Sequence, residues 1–281
     1  MQSDGFMNSD EMLVTNSYQA FASVYDELMC DVPYDAWTDR IDRDIKKYGI
    51  SKTKNTYTED PESEEALLES ERNLVADIGC GTGVITRKFH DLGYDVFGID
   101  YSPEMLSRAM ESDEDRGIMY LNQDMRELDL YSTIGTAVSI CDSINYLLED
   151  EDLDDAFAGI SKFLYPGGLF IFDCNTSYKY REAIGESTIA ESGEDVSFIW
   201  ENFYDEEENV NEYDLTLFIK REDGLYERAE ETHLQRGIEV SDIERLSEAH
   251  GLEIVYMVDS DTEEDVTDET ERIYAVLRKK D

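Results

Sequence analysis

The sequence predicts an α/β fold, a central sheet with helices packed on both faces. Leu74, Val75 and Ala76 form a short apolar run leading into Asp77-Ile78-Gly79-Cys80-Gly81-Thr82-Gly83. An amphipathic stretch follows, with Val84, Ile85, Phe89 and Leu92 on one helical stripe. Further strand-like runs, Val96-Phe97-Gly98-Ile99 and residues 118–121, 137–140 and 169–173, alternate with helical stretches. The 281 residues are enough to bury a full α/β core, as one large domain or a domain with an insertion.

Strand, glycine turn and helix together make a nucleotide-binding corner. Glycines let the backbone turn tightly and approach a ligand, and the helix start offers N–H groups without intrahelical partners. A dinucleotide fingerprint wants Gly-x-Gly-x-x-Gly. Gly79 and Gly81 fit, but position 84 is Val. The pattern is instead Gly-x-Gly-x-Gly with Asp77 two positions ahead. This resembles motif I of the class I S-adenosylmethionine (SAM) methyltransferases, over roughly Leu74 to Asp173 and again from near Ser241. The resemblance implies a Rossmann-like, seven-stranded class I methyltransferase sheet with S-adenosyl-L-methionine as cofactor. Asp77, Gly79, Cys80, Gly81 and Gly83 would line it.

Composition narrows the partners. Asp and Glu number 68 against 24 Lys and Arg, a formal charge of −44. Such a chain repels nucleic-acid phosphates and anionic membranes. The acidity reads as adaptation to a salty cytoplasm, as solubility, or as attraction for a cationic amine; its spread along the chain favours the first two. No apolar run approaches the ~18 residues of a membrane span. Residues 1–10 lack the basic and apolar regions of a signal peptide, so a cytoplasmic protein is expected. Cys30, Cys80, Cys141 and Cys174 match no zinc or redox spacing, and no metal site is expected.

Taken in order, residues 1–72 read as an N-terminal helical cap and acidic linker. Tyr18, Phe21, Ala22, Tyr25, Leu28 and Met29 fall at helical spacing. Tyr-x-x-Phe-Ala-x-x-Tyr-Asp, from Tyr18 to Asp26, resembles the segment that closes over the cofactor in many small-molecule methyltransferases. Tyr18 and Tyr25 would then face the pocket, or pack on the core. A second helix spans Tyr34 to Tyr48, and Ala66-Leu67-Leu68 is expected as one helical turn in a solvated connection.

Residues 73–176 read as the cofactor-binding core. Asp100, about 20 positions past the first glycine, is placed to accept adenosyl ribose hydroxyls. Ser102 and Pro103 read as a helix start. The resemblance makes Asp124 the adenine-binding acid, with Met125, Tyr101 and Met105 nearby. It places the loop Cys141-Asp142-Ser143-Ile144-Asn145-Tyr146 beside the sulfonium, with Cys141, Asp142 and Tyr146 as contacts. Leu164 to Gly168 resembles the family's turn before strand five.

Residues 177–240 read as an insertion. Ser197 to Tyr204, Val210 to Lys220 and Leu225 to Leu234 alternate like strands joined by hairpin turns, a three-stranded antiparallel sheet. It resembles the insertion of glycine and amino-sugar N-methyltransferases and of clostridial methyltransferases, where it roofs the substrate or forms a homodimer contact. Residues 241–281 complete the core, with a helix capped by Ser241 and Glu244 and an antiparallel last strand.

Methyl transfer from SAM needs alignment, a dry pocket and at most one base. His233 is the histidine placed to face the cavity, so it is the expected base, with Tyr18 and Tyr25 on the acceptor side. The reading is a methyltransferase acting on N or O of a small-molecule acceptor. A nicotinamide oxidoreductase and a non-catalytic SAM-binding protein are the alternatives.

Overall fold

The computed structural model describes residues 19–56, 64–113 and 115–281. Seven strands form one sheet: β1 (Val75–Ile78), β2 (Val96–Asp100), β3 (Met119–Asn122), β4 (Ile134–Ser139), β5 (Leu164–Asn175), β10 (Leu252–Asp259) and β11 (Arg272–Lys279). Their order is β10-β11-β5-β4-β1-β2-β3. β1, β2, β3, β4 and β5 run parallel, while β11 pairs antiparallel with both β5 and β10. The central β1 and β4 are buried at every residue, as parallel strands covered on both faces must be.

Helices cover both faces because each carries one apolar stripe. On one face α6 (Asp150–Phe163) and α7 (Val240–Ala249) bury Leu153, Phe157, Ile160, Ile243 and Leu246 against Phe170 and Phe172 of β5. On the other, α2 (Tyr34–Tyr48) and α4 (Val84–Asp91) bury Ile41, Ile45, Ile85 and Phe89 against Val75, Val138 and Ile171. Between these, α3 (Glu64–Asn73) leads into β1 and α5 (Pro103–Glu111) joins β2 to β3.

The insertion is a separate sheet of four strands rather than three, in the order β6-β7-β8-β9: β6 (Thr188–Ser192), β7 (Val196–Asp205), β8 (Val210–Lys220) and β9 (Tyr226–Arg236). Every residue of β6 is exposed, so no core imposes the alternation that would have marked it as a strand. The cap helix α1 (Gln19–Leu28) packs on this sheet, with Val24 against Val196, Leu215 and Leu217.

Three local expectations differ from the structure. Ala66-Leu67-Leu68 belongs to a ten-residue helix, as its Glu, Ala and Leu content favours. The α7 cap is Glu239 with Asp242 rather than Ser241 with Glu244; Glu239 donates its N–H to Asp242 Oδ2 at 3.1 Å. The turn at Pro166-Gly167-Gly168 is a bulge inside β5, where the register passes from Ile134↔Leu164 to Thr136↔Leu169. Gly168 is required there, since a Cβ would stand 2.8 Å from the Gly135 carbonyl oxygen.

Candidate active site

The glycine turn leaves β1 at the carboxyl edge of the sheet, where open α/β sheets bind ligands. Gly79 has φ +72°, and a Cβ on it would meet the Ser143 Cβ at 2.6 Å. Gly81 differs: a Cβ built there has nothing within 4 Å. Its N–H donates to Asp100 Oδ2 at 2.7 Å, and Ser102 N–H donates to Asp100 Oδ1 at 2.8 Å. A carboxylate accepts about four hydrogen bonds, so Asp100 keeps acceptor sites for a ribose diol. An open cradle beside a fixed carboxylate fits an adenosyl group.

The other residues expected at the cofactor divide in two. Met125 closes on the turn, its Cε 3.6 Å from the position of a Gly79 Cβ, and Tyr101 is exposed beside Asp100. Gly83 has φ +74° and packs under Tyr120. Met105 is buried in the first turn of α5, where Ser102 Oγ caps its N–H. Cys80 turns its Sγ toward Gly98 of β2, and burial pushes its thiol up. Asp124 caps a short 3-10 helix, Met125–Glu127, and both its oxygens accept from the Arg126 guanidinium at 2.6 to 3.0 Å. Sequence reading gave Arg126 no role.

Asp77 is buried beneath the turn, where its Oδ2 accepts from Thr86 Oγ1 at 2.5 Å. Burial, opposed by that hydrogen bond and reinforced by Asp100, pushes its carboxyl up to about 7. The native state therefore holds a proton, between the ordinary 3.8 and about 7, that the unfolded chain has released. Stability from this group falls as pH rises through that window. Asp77→Asn keeps an acceptor for Thr86 and carries no charge. Its Tm relative to wild type should climb between about pH 4 and about pH 7 and level off above that. A Tm difference independent of pH would show that Asp77 stays ionised.

The loop after β4 begins with two consecutive non-glycine residues in the left-handed region, Cys141 (φ 63°) and Asp142 (φ 51°). Such backbone costs roughly 1–2 kcal/mol per residue. It is held by a network. Asp142 N–H donates to Asp173 Oδ1 at 2.8 Å, and the Asp142 carboxylate accepts from Arg272 Nη2 and Gln235 Nε2, each at 2.7 Å. Arg272 Nη1 also donates to Asp173 Oδ2 at 3.1 Å, and Tyr180 hydroxyl donates to Gln235 Oε1 at 2.9 Å. Asp142, expected at the cofactor, thus joins the core loop to β9 and β11.

The segments expected on the acceptor side, α1 and β9, meet the core loops at this edge. Asp26 of α1 accepts from Thr82 Oγ1 in the glycine turn at 2.6 Å. Tyr25 lies against Cys141, Tyr34 and Asp142. Burial, then these neighbours, raise its phenol well above 10.0, so it can donate a hydrogen bond but not take up a proton. Burial raises the Cys141 thiol as well. Tyr18 lies outside the described residues. His233 is buried, with Nδ1 3.4 Å from the Tyr146 hydroxyl, Nε2 3.5 Å from Glu231 Oε2, and the Phe21 ring edge-on at 5.5 Å. The sequence pointed to neither Glu231 nor Arg272, and it gave Asp26 and Thr82, though both lie in motifs, no role of their own. The period-two alternation of β9 could have found Glu231, which shares the inward face with His233 and Gln235.

A cavity of about 290 Å³ lies elsewhere, between Thr176, Glu239, Ser241 and the loop carrying Asp268. It contains none of the glycine-turn residues, so the chemistry rather than the volume locates the site. No helix among the described residues is long and apolar enough to cross a membrane.

This fold and this turn define a class I methyltransferase, and the methyltransferase domain family matches residues 75–168. The chain belongs to the family of the Bacillus subtilis protein named "Putative methyltransferase YqeM". It is 34% identical to that protein over 264 residues, covering 93% of this chain and 97% of the relative. A Geobacillus protein of similar name is 29% identical over 94% of this chain and all of its own length. Among solved structures, a SAM-dependent methyltransferase from Clostridium acetobutylicum superposes with TM-score 0.77 at 27% identity, covering 94% of this chain and 99% of its own. The Streptomyces venezuelae protein DesVI shares the fold, with TM-score 0.68 at 19% identity over 90% of this chain and 97% of its own. Family membership makes the chain a methyltransferase and sets aside the oxidoreductase and non-catalytic readings.

Proposed function

We propose that this enzyme uses SAM to methylate a nitrogen or oxygen of a small-molecule acceptor. The observation that supports it most is the meeting of three parts over one edge of the sheet. The cap helix ties to the glycine turn through Asp26 and Thr82, and the inserted sheet brings His233 to Tyr146 of the core loop. Bound SAM supplies an electrophilic methyl on a good leaving group. Asp100 holds the ribose, the Gly81 cradle receives the adenosyl group, and α1 with the inserted sheet excludes water. His233, with the Tyr146 hydroxyl beside Nδ1, takes the proton that the acceptor atom releases. The charge of −44 favours a small acceptor over a nucleic acid.

The test needs the acceptor, found by screening metabolite extracts for SAM-dependent release of S-adenosylhomocysteine. On that acceptor, His233→Ala should lower kcat by about 10²–10⁴-fold and leave SAM affinity unchanged. Normal kcat in His233→Ala would remove the base and leave the inserted sheet as a shape-selective roof.

A further inference from the structure

We propose that Glu231 is a positioning residue that fixes the tautomer of His233, and that the cap helix fixes Glu231. The inference rests on the reading of His233 as the base. Both residues lie on the inward face of β9, each 6% exposed. Among the described residues the carboxylate meets two groups. Oε1 accepts the backbone N–H of Phe21, third residue of α1, at 2.9 Å. First-turn N–H groups have no intrahelical acceptor, so this one needs the carboxylate. Oε2 is thereby turned to His233 Nε2 at 3.5 Å.

An ionised carboxylate only accepts hydrogen bonds. The carboxylate beside Nε2 therefore favours the neutral imidazole that carries its hydrogen on Nε2, toward Glu231, and its lone pair on Nδ1. That lone pair faces the Tyr146 hydroxyl, which belongs to the core loop at the carboxyl edge of the sheet. A lone pair on the acceptor side is what a base needs. Contacts of this kind are often long before the reacting complex forms and tighten within it.

Glu231→Gln separates this role from packing. The Phe21 N–H retains the amide oxygen, so the amide NH2 faces His233 Nε2. A donor there moves the imidazole hydrogen to Nδ1, and the lone pair on the Tyr146 side is lost.

Two-bond ¹H–¹⁵N correlation spectra of the imidazoles, recorded at alkaline pH on the full chain, read this directly. The chain holds His90, His233 and His250, and the signal missing in His233→Gln assigns His233. The wild type should show the Nε2–H form and Glu231→Gln the Nδ1–H form. An Nδ1–H wild type, or a folded Gln variant with an unchanged tautomer, would overturn the proposal. With an acceptor in hand, Glu231→Gln should cut kcat at least about tenfold while SAM affinity holds. A tautomer that flips while His233→Ala keeps full kcat would sink the general-base reading and leave the positioning role standing.

Discussion

Replacing Arg272 with Met should cost about 3–5 kcal/mol of folding stability, the range for removing one partner of a buried ion network. Arg272 opens β11 and donates to Asp142, Asp173 and Asn175 at 2.7 to 3.1 Å. Asp173 is 2% exposed, and burial already pushes its carboxyl up against the opposing pull of Arg272. Without the guanidinium, that carboxylate must ionise uncompensated or take up a proton. The left-handed Cys141-Asp142 corner would also lose a tether. Denaturant unfolding of wild type, Arg272→Met and Arg272→Met/Asp173→Asn measures this. The double variant should recover part of the loss, because Asn removes the stranded charge. A single variant within about 1 kcal/mol of wild type would show that the network does not hold the loop.

Asp100→Ala should weaken SAM binding by about 1–3 kcal/mol, roughly 5- to 150-fold, the scale of losing charge-assisted hydrogen bonds. The effect has two sources. The ribose loses its acceptor, and the N–H groups of Gly81 and Ser102 lose the carboxylate that sets the two loops against each other. Asp100→Asn keeps one acceptor oxygen and should fall between. Equal affinity in wild type and Asp100→Ala would remove Asp100 from the ribose site.

What was legible in the sequence was local or periodic. The glycine turn declares itself because left-handed backbone at Gly79, Gly81 and Gly83 calls for a residue without Cβ. β1 and the second half of β4 declare themselves as short apolar runs, while Ile134-Gly135-Thr136 of β4, buried but broken by Gly and Thr, did not. β6 did not, because an exposed edge strand has no buried face to pattern. The tight bulge of β5 read as a turn because Pro and Gly mark both. In the site, Asp77, Asp100, Asp124 and Asp142 all stood out as acids near a nucleotide corner. Asp124 is tied up by its neighbour Arg126, whereas the commitment of Asp142 depended on remote residues. Asp142 meets Arg272 across 130 positions and Gln235 across 93, and Glu231 meets Phe21 across 210. No local pattern encodes pairings at that range; they follow from the antiparallel return of β11 and from the inserted sheet folding back over the cap helix.

Titration calorimetry with SAM and, in parallel, NAD tests the central claim most directly, because it needs no acceptor. SAM should bind at a single saturable site and its affinity should drop in Asp100→Ala, while NAD should give no binding heat. A protein that ignores SAM, or that binds NAD at the glycine turn in its place, would contradict the assignment of this corner to a methyl donor.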